Sequence, residues 1–294
     1  MPIVHAEPFR ARYYECDAYG HLASVTYLRW MQEAAFAASA SAGYDLRRYK
    51  ELGHVWLVRD TQLNFSAPVR YEDAIILRTW VADFRRSHSR RRYEFVRAVT
   101  GDIVAQAVTD WVYINSQSLH PATVPPAMQQ TFCPEGSLDH PAARDRFPMP
   151  PPAPPQVFTV RTRVEWPAID TMWHVNNAMY LSYVEEAGLR LWEALGWPVT
   201  RRAAAGLALA ARQYRIEYRL PAQLGDELEI STWLSDPRPA SVRQHYALYR
   251  AADHALLARA STRWVWVETE TRRPRRVPPE ARAALSPHLS PAPG

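Results

Sequence analysis

Two short segments carry residue types that could do chemistry. Asp17 and His21 stand four residues apart, just ahead of an alanine-rich stretch of helical length, and Asp170 and His174 repeat the spacing 153 residues later. An ionised carboxylate can polarise water as a general base or attack an electrophile directly. Free amides at the first turn of the following helix, aided by its dipole, can meet an oxyanion developing on a carbonyl. Gly20 permits close backbone approach in the first segment, whereas Trp173 holds that place in the second. Each residue also has a plainer role open to it. The aspartates could accept backbone hydrogen bonds in a loop or cap, and His21 and His174 could fix the loop or orient a carbonyl. Asn176 and Asn177 could cap the helix or touch a ligand.

Other chemistries are poorly provided for. Cys16 and Cys133 are the only cysteines, so no disulfide framework or cysteine zinc site can be assembled. Cys16 adjoins Asp17, but Ile169 replaces it in the second segment, and packing explains it better than nucleophilic catalysis. No HExxH pattern and no glycine-rich phosphate loop occurs, so neither a metal nor a bound cofactor is expected. Arg86, Arg90 and Arg91, flanked by Arg85 and Arg92, form a dense group whose forked donors suit phosphates or an acidic protein face; a solvated hairpin is the alternative. The second copy keeps only Arg238 and Arg243 there. Glu33 and Glu186 fall inside the helical stretches, where paired burial or a salt bridge is expected.

The elements that must position these residues come in two copies. At an offset of 153, 25 of the 96 positions from 17 to 112 are identical, including Tyr27-Leu28 with Tyr180-Leu181, Gly43 with Gly196, Pro68 with Pro221 and Trp111-Val112 with Trp264-Val265. A match on that scale reads as two repeats of one unit. Each copy begins with a short extended segment, Phe9–Tyr14 or Phe158–Glu165. A helix follows, Val25–Ala42 or Ala178–Leu195, stopped by Gly43 or Gly196. Val25, Leu28, Met31, Ala35 and Ala38 keep helical spacing, and the first helix is apolar on most sides, so it must be enclosed. Four strands are predicted next, at 55–65, 74–85, 90–98 and 103–115, with partners 153 residues on and short hairpin turns between neighbours. The fold class is therefore α+β, with a long helix wrapped by a curved antiparallel sheet in each copy.

Domain bounds follow from composition: 1–127, a proline-rich connector 128–156, 157–270, and a basic proline-rich tail 271–294. Residues 121–155 hold 11 of the 25 prolines, which predicts an extended surface path. A short turn at Pro279–Leu285 is expected in the tail. The net charge of +5 arises from 35 Lys/Arg against 30 Asp/Glu, and three of the five excess charges lie beyond residue 268, which argues against a nucleic-acid track. No apolar run reaches about 18 residues and the N-terminus lacks a signal-peptide pattern, so a cytoplasmic protein without membrane association is expected.

The segment Tyr13-Tyr14-Glu15-Cys16-Asp17-Ala18-Tyr19-Gly20-His21 with Tyr27-Leu28-Arg29-Trp30 resembles the opening motif of hotdog-fold thioesterases of the hydroxybenzoyl-CoA thioesterase type. Asp170-Thr171-Met172-Trp173-His174-Val175-Asn176-Asn177 is similar to the common acyl-thioesterase form, and Pro68 with Asp73 and Pro221 with Asp226 match the family's turn before its third strand. The resemblance implies two hotdog domains packed as an internal pseudo-dimer with pockets at the seam, and hydrolysis of acyl-CoA or acyl-carrier-protein thioesters. It gives Asp17, and correspondingly Asp170, the role of nucleophile or general base, with Asp17 the first choice because Glu15-Cys16-Asp17 and Gly20 keep the single-domain pattern, and Asp170 close behind it. The tandem form also resembles acyl-carrier-protein thioesterases, but their asparagine two residues after the aspartate is Met172 here. A non-catalytic thioester-binding scaffold and a hotdog dehydratase or isomerase are the competing expectations. A homodimer of such chains is a further one.

Overall fold

The computed structural model describes residues 2–136 and 147–291. The middle of the proline-rich connector and the last residues of the tail lie outside the described residues. The chain divides into two compact units, Met1–Arg146 and Phe147–Gly294.

Unit one runs β1 (His5–Arg10), α1 (Ser24–Ser41), α2 (Leu46–Glu51), β2 (His54–Phe65), β3 (Ala74–Arg85), β4 (His88–Arg97), β5 (Ile103–Asn115) and α3 (Pro126–Phe132). Its strands pair antiparallel in the order β1-β3-β4-β5-β2. Unit two runs β6 (Phe158–Arg163), α4 (Met179–Ala194), α5 (Val199–Ala204), β7 (Leu207–Tyr218), β8 (Glu227–Ser235), β9 (Ser241–Arg250), β10 (Leu256–Glu268) and α6 (Pro279–Leu285). The matching order is β6-β8-β9-β10-β7, again antiparallel. The bounds of β1, β2, β4, β5 and α3 recur in unit two at the 153-residue offset to the residue.

The long helix of each unit supplies the core. α1 buries Tyr27, Leu28, Trp30, Met31, Ala34, Ala35 and Ala38 and packs on β1 and β3. α4 buries Tyr180, Leu181, Val184, Ala187, Leu191 and Trp192 against β6 and β8. Gly43 at φ 81° and Gly196 at φ 77° sit just past the helix ends in the left-handed conformation that a side chain resists. Alternation along the strands sends Leu77, Tyr93, Phe95, Ala105 and Ala107 inward, each nearly free of solvent contact.

The structure departs from the sequence reading at several places. The first strand ends at Arg10, and Tyr13–Glu15 form a 3-10 turn in place of the expected extended run; Trp166–Ala168 do the same in unit two. β8 stops at Ser235, short of the expected 238, because Pro237 and Pro239 cannot donate to a ladder. α2 was not predicted, although Asp45 caps it by accepting a hydrogen bond from the Arg48 amide at 2.7 Å. Within the proline-rich stretch expected to be extended, Pro126–Phe132 is helical, since proline is tolerated in a first turn. Met128 and Phe132 of this helix enter a cluster with Tyr49, Val81, Tyr113 and Val124. The expected turn at Pro279–Leu285 is the helix α6.

Candidate active site

Both aspartates lie in a loop that joins a 3-10 turn to the long helix, and both loops close on themselves. Asp17 N–H donates to the His21 carbonyl at 2.7 Å, and Asp170 N–H to the His174 carbonyl at 3.0 Å. The turn between them needs a left-handed residue: Gly20 at φ 71° in unit one and Trp173 at φ 61° in unit two. Glycine adopts that geometry freely, whereas tryptophan is held there against the clash of its Cβ.

The side chains differ more than the backbones. The exposed Asp17 carboxylate is occupied by its own loop, where Oδ1 accepts from the Tyr19 amide at 2.9 Å and the His21 amide at 3.0 Å. This is the loop-closing role that the residue type alone allowed. Asp170 is half-buried; its Oδ1 accepts one amide, Met172 N–H at 2.9 Å, and lies 3.7 Å from His174 Nδ1. Its Oδ2 accepts from the Asn176 side-chain amide at 3.3 Å. Asn176 uses its other end to accept the Ala178 amide at 3.0 Å, at the entrance to α4. One asparagine thus joins the carboxylate to the helix start. The equivalent position in unit one is Ala23, which can do neither.

His174 Nδ1 also lies 3.3 Å from the Val175 carbonyl. Asn177 contributes its backbone, whose carbonyl accepts the Tyr218 hydroxyl at 3.0 Å. Tyr180, at the start of α4, has its phenol pushed up to about 12 by burial and accepts the Ala222 amide at 2.9 Å, tying the helix to the loop before β8. His21 forms a bridge with Arg70, so unit one's loop is anchored to the corresponding loop.

Cys16 is half-buried. Burial, Asp17 and Glu15 all raise its thiol above the ordinary value, which keeps it protonated and unsuited to attack. Among the described residues no group of three or more His, Cys, Asp or Glu is placed to hold a metal ion.

The arginines of the β3–β4 hairpin part company. Arg86 is exposed in the turn. Arg90 is mostly covered and held by Asp110 at 3.3 Å and Asp83 at 3.9 Å. Arg91 does not join a solvent-facing group as the sequence suggested: the strand pleat turns it inward, and only 6% of it is exposed. Glu186 forms a surface salt bridge with Arg190 at 2.6 Å, and Glu33 is also exposed, so neither is buried as a pair. The inward carboxylate of α4 is Glu185, which accepts the Tyr214 hydroxyl at 2.8 Å. Its counterpart is Gln32, so identity between the copies marks the neighbouring pair, Glu33 and Glu186, instead.

Trp166, absent from the sequence reading, packs edge to face with Trp173 at 6.2 Å beside the Asp170 loop, and the two remain 63% and 73% exposed. Tyr13, equivalent to Trp166, pairs in the same way with Tyr71 at 5.9 Å. The signal was an aromatic residue at the same repeat position in both copies.

Each unit is thus a hotdog domain, a long helix held by an antiparallel sheet with a turn-forming acidic loop ahead of the helix. The chain belongs to the thioesterase-like superfamily, which matches residues 11–132 and 164–285. It is similar to an acyl-[acyl-carrier-protein] hydrolase, FATB2, of Cuphea viscosissima, at 23% identity over 63% of this chain and 47% of that protein. The chain spans about half the length of that relative. Among solved structures, the 12:0-ACP thioesterase from Umbellularia californica superimposes with a TM-score of 0.70 at 18% identity, covering 89% of this chain and 93% of that one. An acyl-ACP thioesterase from Bacteroides thetaiotaomicron gives 0.67 at 14% identity, covering 89% and 97%. At such identities the structural likeness concerns the fold. No helix among the described residues is long and apolar enough to cross a membrane.

Proposed function

We propose that this protein hydrolyses acyl thioesters carried on coenzyme A or on an acyl carrier protein, and that Asp170 of unit two is the general base. The observation that carries this reading is the asymmetry of the two loops. Asp170 is held by Asn176 and lies beside His174, next to the start of α4. Asp17 is engaged by two backbone amides of its own loop.

In the proposed reaction Asp170 removes a proton from water while the water oxygen bonds to the thioester carbonyl carbon. The carbonyl π electrons move onto oxygen, and amides at the first turn of α4 receive the oxyanion. Collapse re-forms the carbonyl, breaks the carbon–sulfur bond and expels the thiolate, which takes the proton held by Asp170 and so restores the carboxylate. His174 orients the carboxylate or the carbonyl, and Asn176 keeps Asp170 aimed. Arg86, exposed in the β3–β4 turn, is suited to an anionic carrier group, with Arg90 restrained by its acidic partners. Gly20 and His21 serve the geometry of unit one's loop in this scheme, and Asn177 anchors the start of α4.

Thiol release from a panel of acyl-CoA and acyl-carrier-protein substrates tests the reading. Asp170→Asn should lower kcat/KM by about 10²-fold or more, the range for loss of a general base, while Asp17→Asn stays within a few-fold. Unchanged turnover in a folded Asp170→Asn protein would instead favour a thioester-binding scaffold.

A further inference from the structure

The inner face of unit one's sheet holds a charge that the described protein does not balance. Arg91 is turned beneath Phe132, whose ring centre lies 5.9 Å from the guanidinium carbon, and its one hydrogen bond among the described residues is to the Thr79 hydroxyl at 3.3 Å. No carboxylate among the described residues reaches it. The nearest acid along the strands, Asp83, is engaged by Arg90. Two further donors on this face are buried with no hydrogen-bond partner among the described residues: the Trp111 indole N–H and the Tyr93 hydroxyl. Pairing of Arg91 with Thr109 and of Ser89 with Trp111 sets these side chains on adjoining strands, and Tyr93 faces Trp111 and Thr109 without reaching hydrogen-bonding geometry.

Unit two shows how the indole on the same face is paired when no such charge is present, although the Tyr246 hydroxyl there, like that of Tyr93, has no hydrogen-bond partner among the described residues. Thr79, Arg91, Tyr93, Thr109 and Trp111 correspond to Thr232, Gln244, Tyr246, Thr262 and Trp264. The Gln244 amide donates to Thr232 Oγ1 at 2.9 Å, and its carbonyl accepts the Trp264 N–H at 2.9 Å. A single amide therefore supplies the acceptor that the indole needs. Arginine has five donors and no acceptor, so the exchange of Gln for Arg in unit one leaves the Trp111 N–H without a partner while adding unmet donors of its own. Buried polar groups are rarely left in that state, and an unpaired buried cation is costlier still.

We infer that the inner face of unit one binds the carboxylate of an aliphatic acid, received by the Arg91 fork with the Trp111 N–H and the Tyr93 hydroxyl as further donors. Two coplanar oxygens match the guanidinium fork. Tyr49, Phe132 and Cys133, which share one apolar cluster with Val81, lie beside Arg91, an apolar surround that suits an organic chain better than a strongly hydrated inorganic anion. The inference goes beyond thioester hydrolysis and does not require it.

Isothermal titration of the full chain at neutral pH tests this directly, with hexanoate, dodecanoate, dodecanol, chloride and phosphate as probes. A carboxylate should bind the wild-type chain one to one, with the two chain lengths reading the depth of the site, while dodecanol, chloride and phosphate give no comparable binding. Arg91→Gln installs the unit-two arrangement and should weaken carboxylate binding at least tenfold while the chain stays folded by circular dichroism. Trp111→Phe, which keeps the ring and removes one donor, should weaken it several-fold and serves if the arginine variant does not fold. Absence of carboxylate binding to the wild type overturns the inference. So does equal binding by a folded Arg91→Gln protein, which would place the acid elsewhere, or equal binding of dodecanol or chloride. Because the probes are free acids, a chain that hydrolyses thioesters but fails this test leaves the hydrolase reading standing, and the converse holds.

Discussion

Acidification should destabilise unit two through one residue, His245. It lies on β9 with 6% of its surface exposed, stacked on Trp233 at 5.6 Å, with Nε2 2.7 Å from the Ser235 hydroxyl. Burial, then the positive charges of Arg243 and Arg263, lower its pKa from 6.5 to about 4. In the unfolded chain the imidazole takes up its proton near 6.5, whereas in the folded protein it does so only near 4. Between those values the unfolded state binds more protons, so stability rises with pH across the window. The contribution is fully present above pH 6.5 and is lost by pH 4. At 1.36 kcal/mol per pH unit of difference, it amounts to about 3 kcal/mol. Urea unfolding of the wild type and of His245→Gln at half-unit steps from pH 7 to 4.5 isolates the effect. The two stability curves should converge on acidification, with the wild type falling more steeply by up to about 1.4 kcal/mol per pH unit. Parallel curves would refute the reasoning. Asp236, held low by its hydrogen bond from Arg263, titrates below this window and cancels between the two proteins.

Two further substitutions probe local strain. Trp173→Gly replaces a left-handed tryptophan by the residue type that unit one uses at Gly20, and relief of about 1 kcal/mol should offset the lost contact with Trp166, leaving urea stability no lower than wild type. A loss above about 1 kcal/mol would contradict this. A Cβ at Gly188 would meet the Tyr246 hydroxyl at 2.7 Å, so Gly188→Ala should cost about 1–3 kcal/mol. Tyr246→Phe removes a buried hydroxyl that has no hydrogen-bond partner among the described residues, so it should be neutral or stabilising and should rescue the alanine variant; additive losses would show that the hydroxyl is not the obstacle.

The chain's duplication and strand pattern were legible because both are local properties written along the sequence. Ala74–Arg85 and Ile103–Asn115 were read to the residue, since alternating apolar side chains and turn residues mark a strand's ends without reference to its neighbours. The glycine stops of α1 and α4 were legible for the same reason. So were the aspartate and histidine of each loop, as residue types at a repeated spacing. Their inequality was not. Asn176 opposite Ala23 could be seen in the sequence, but that its amide reaches Asp170 while Asp17 spends its oxygen on two backbone amides depends on the closed shape of each loop. Arg90 and Arg91 are adjacent letters of one basic run; strand pairing sends the first to an acidic partner and the second beneath Phe132. The α3 helix emerged from a proline-rich stretch because Met128 and Phe132 found an apolar cluster formed by distant strands. Composition and spacing therefore determined which elements form and which chemical groups they carry. Tertiary structure decided which groups are paired, buried or left wanting, because hydrogen bonding and desolvation depend on neighbours that the linear order does not specify.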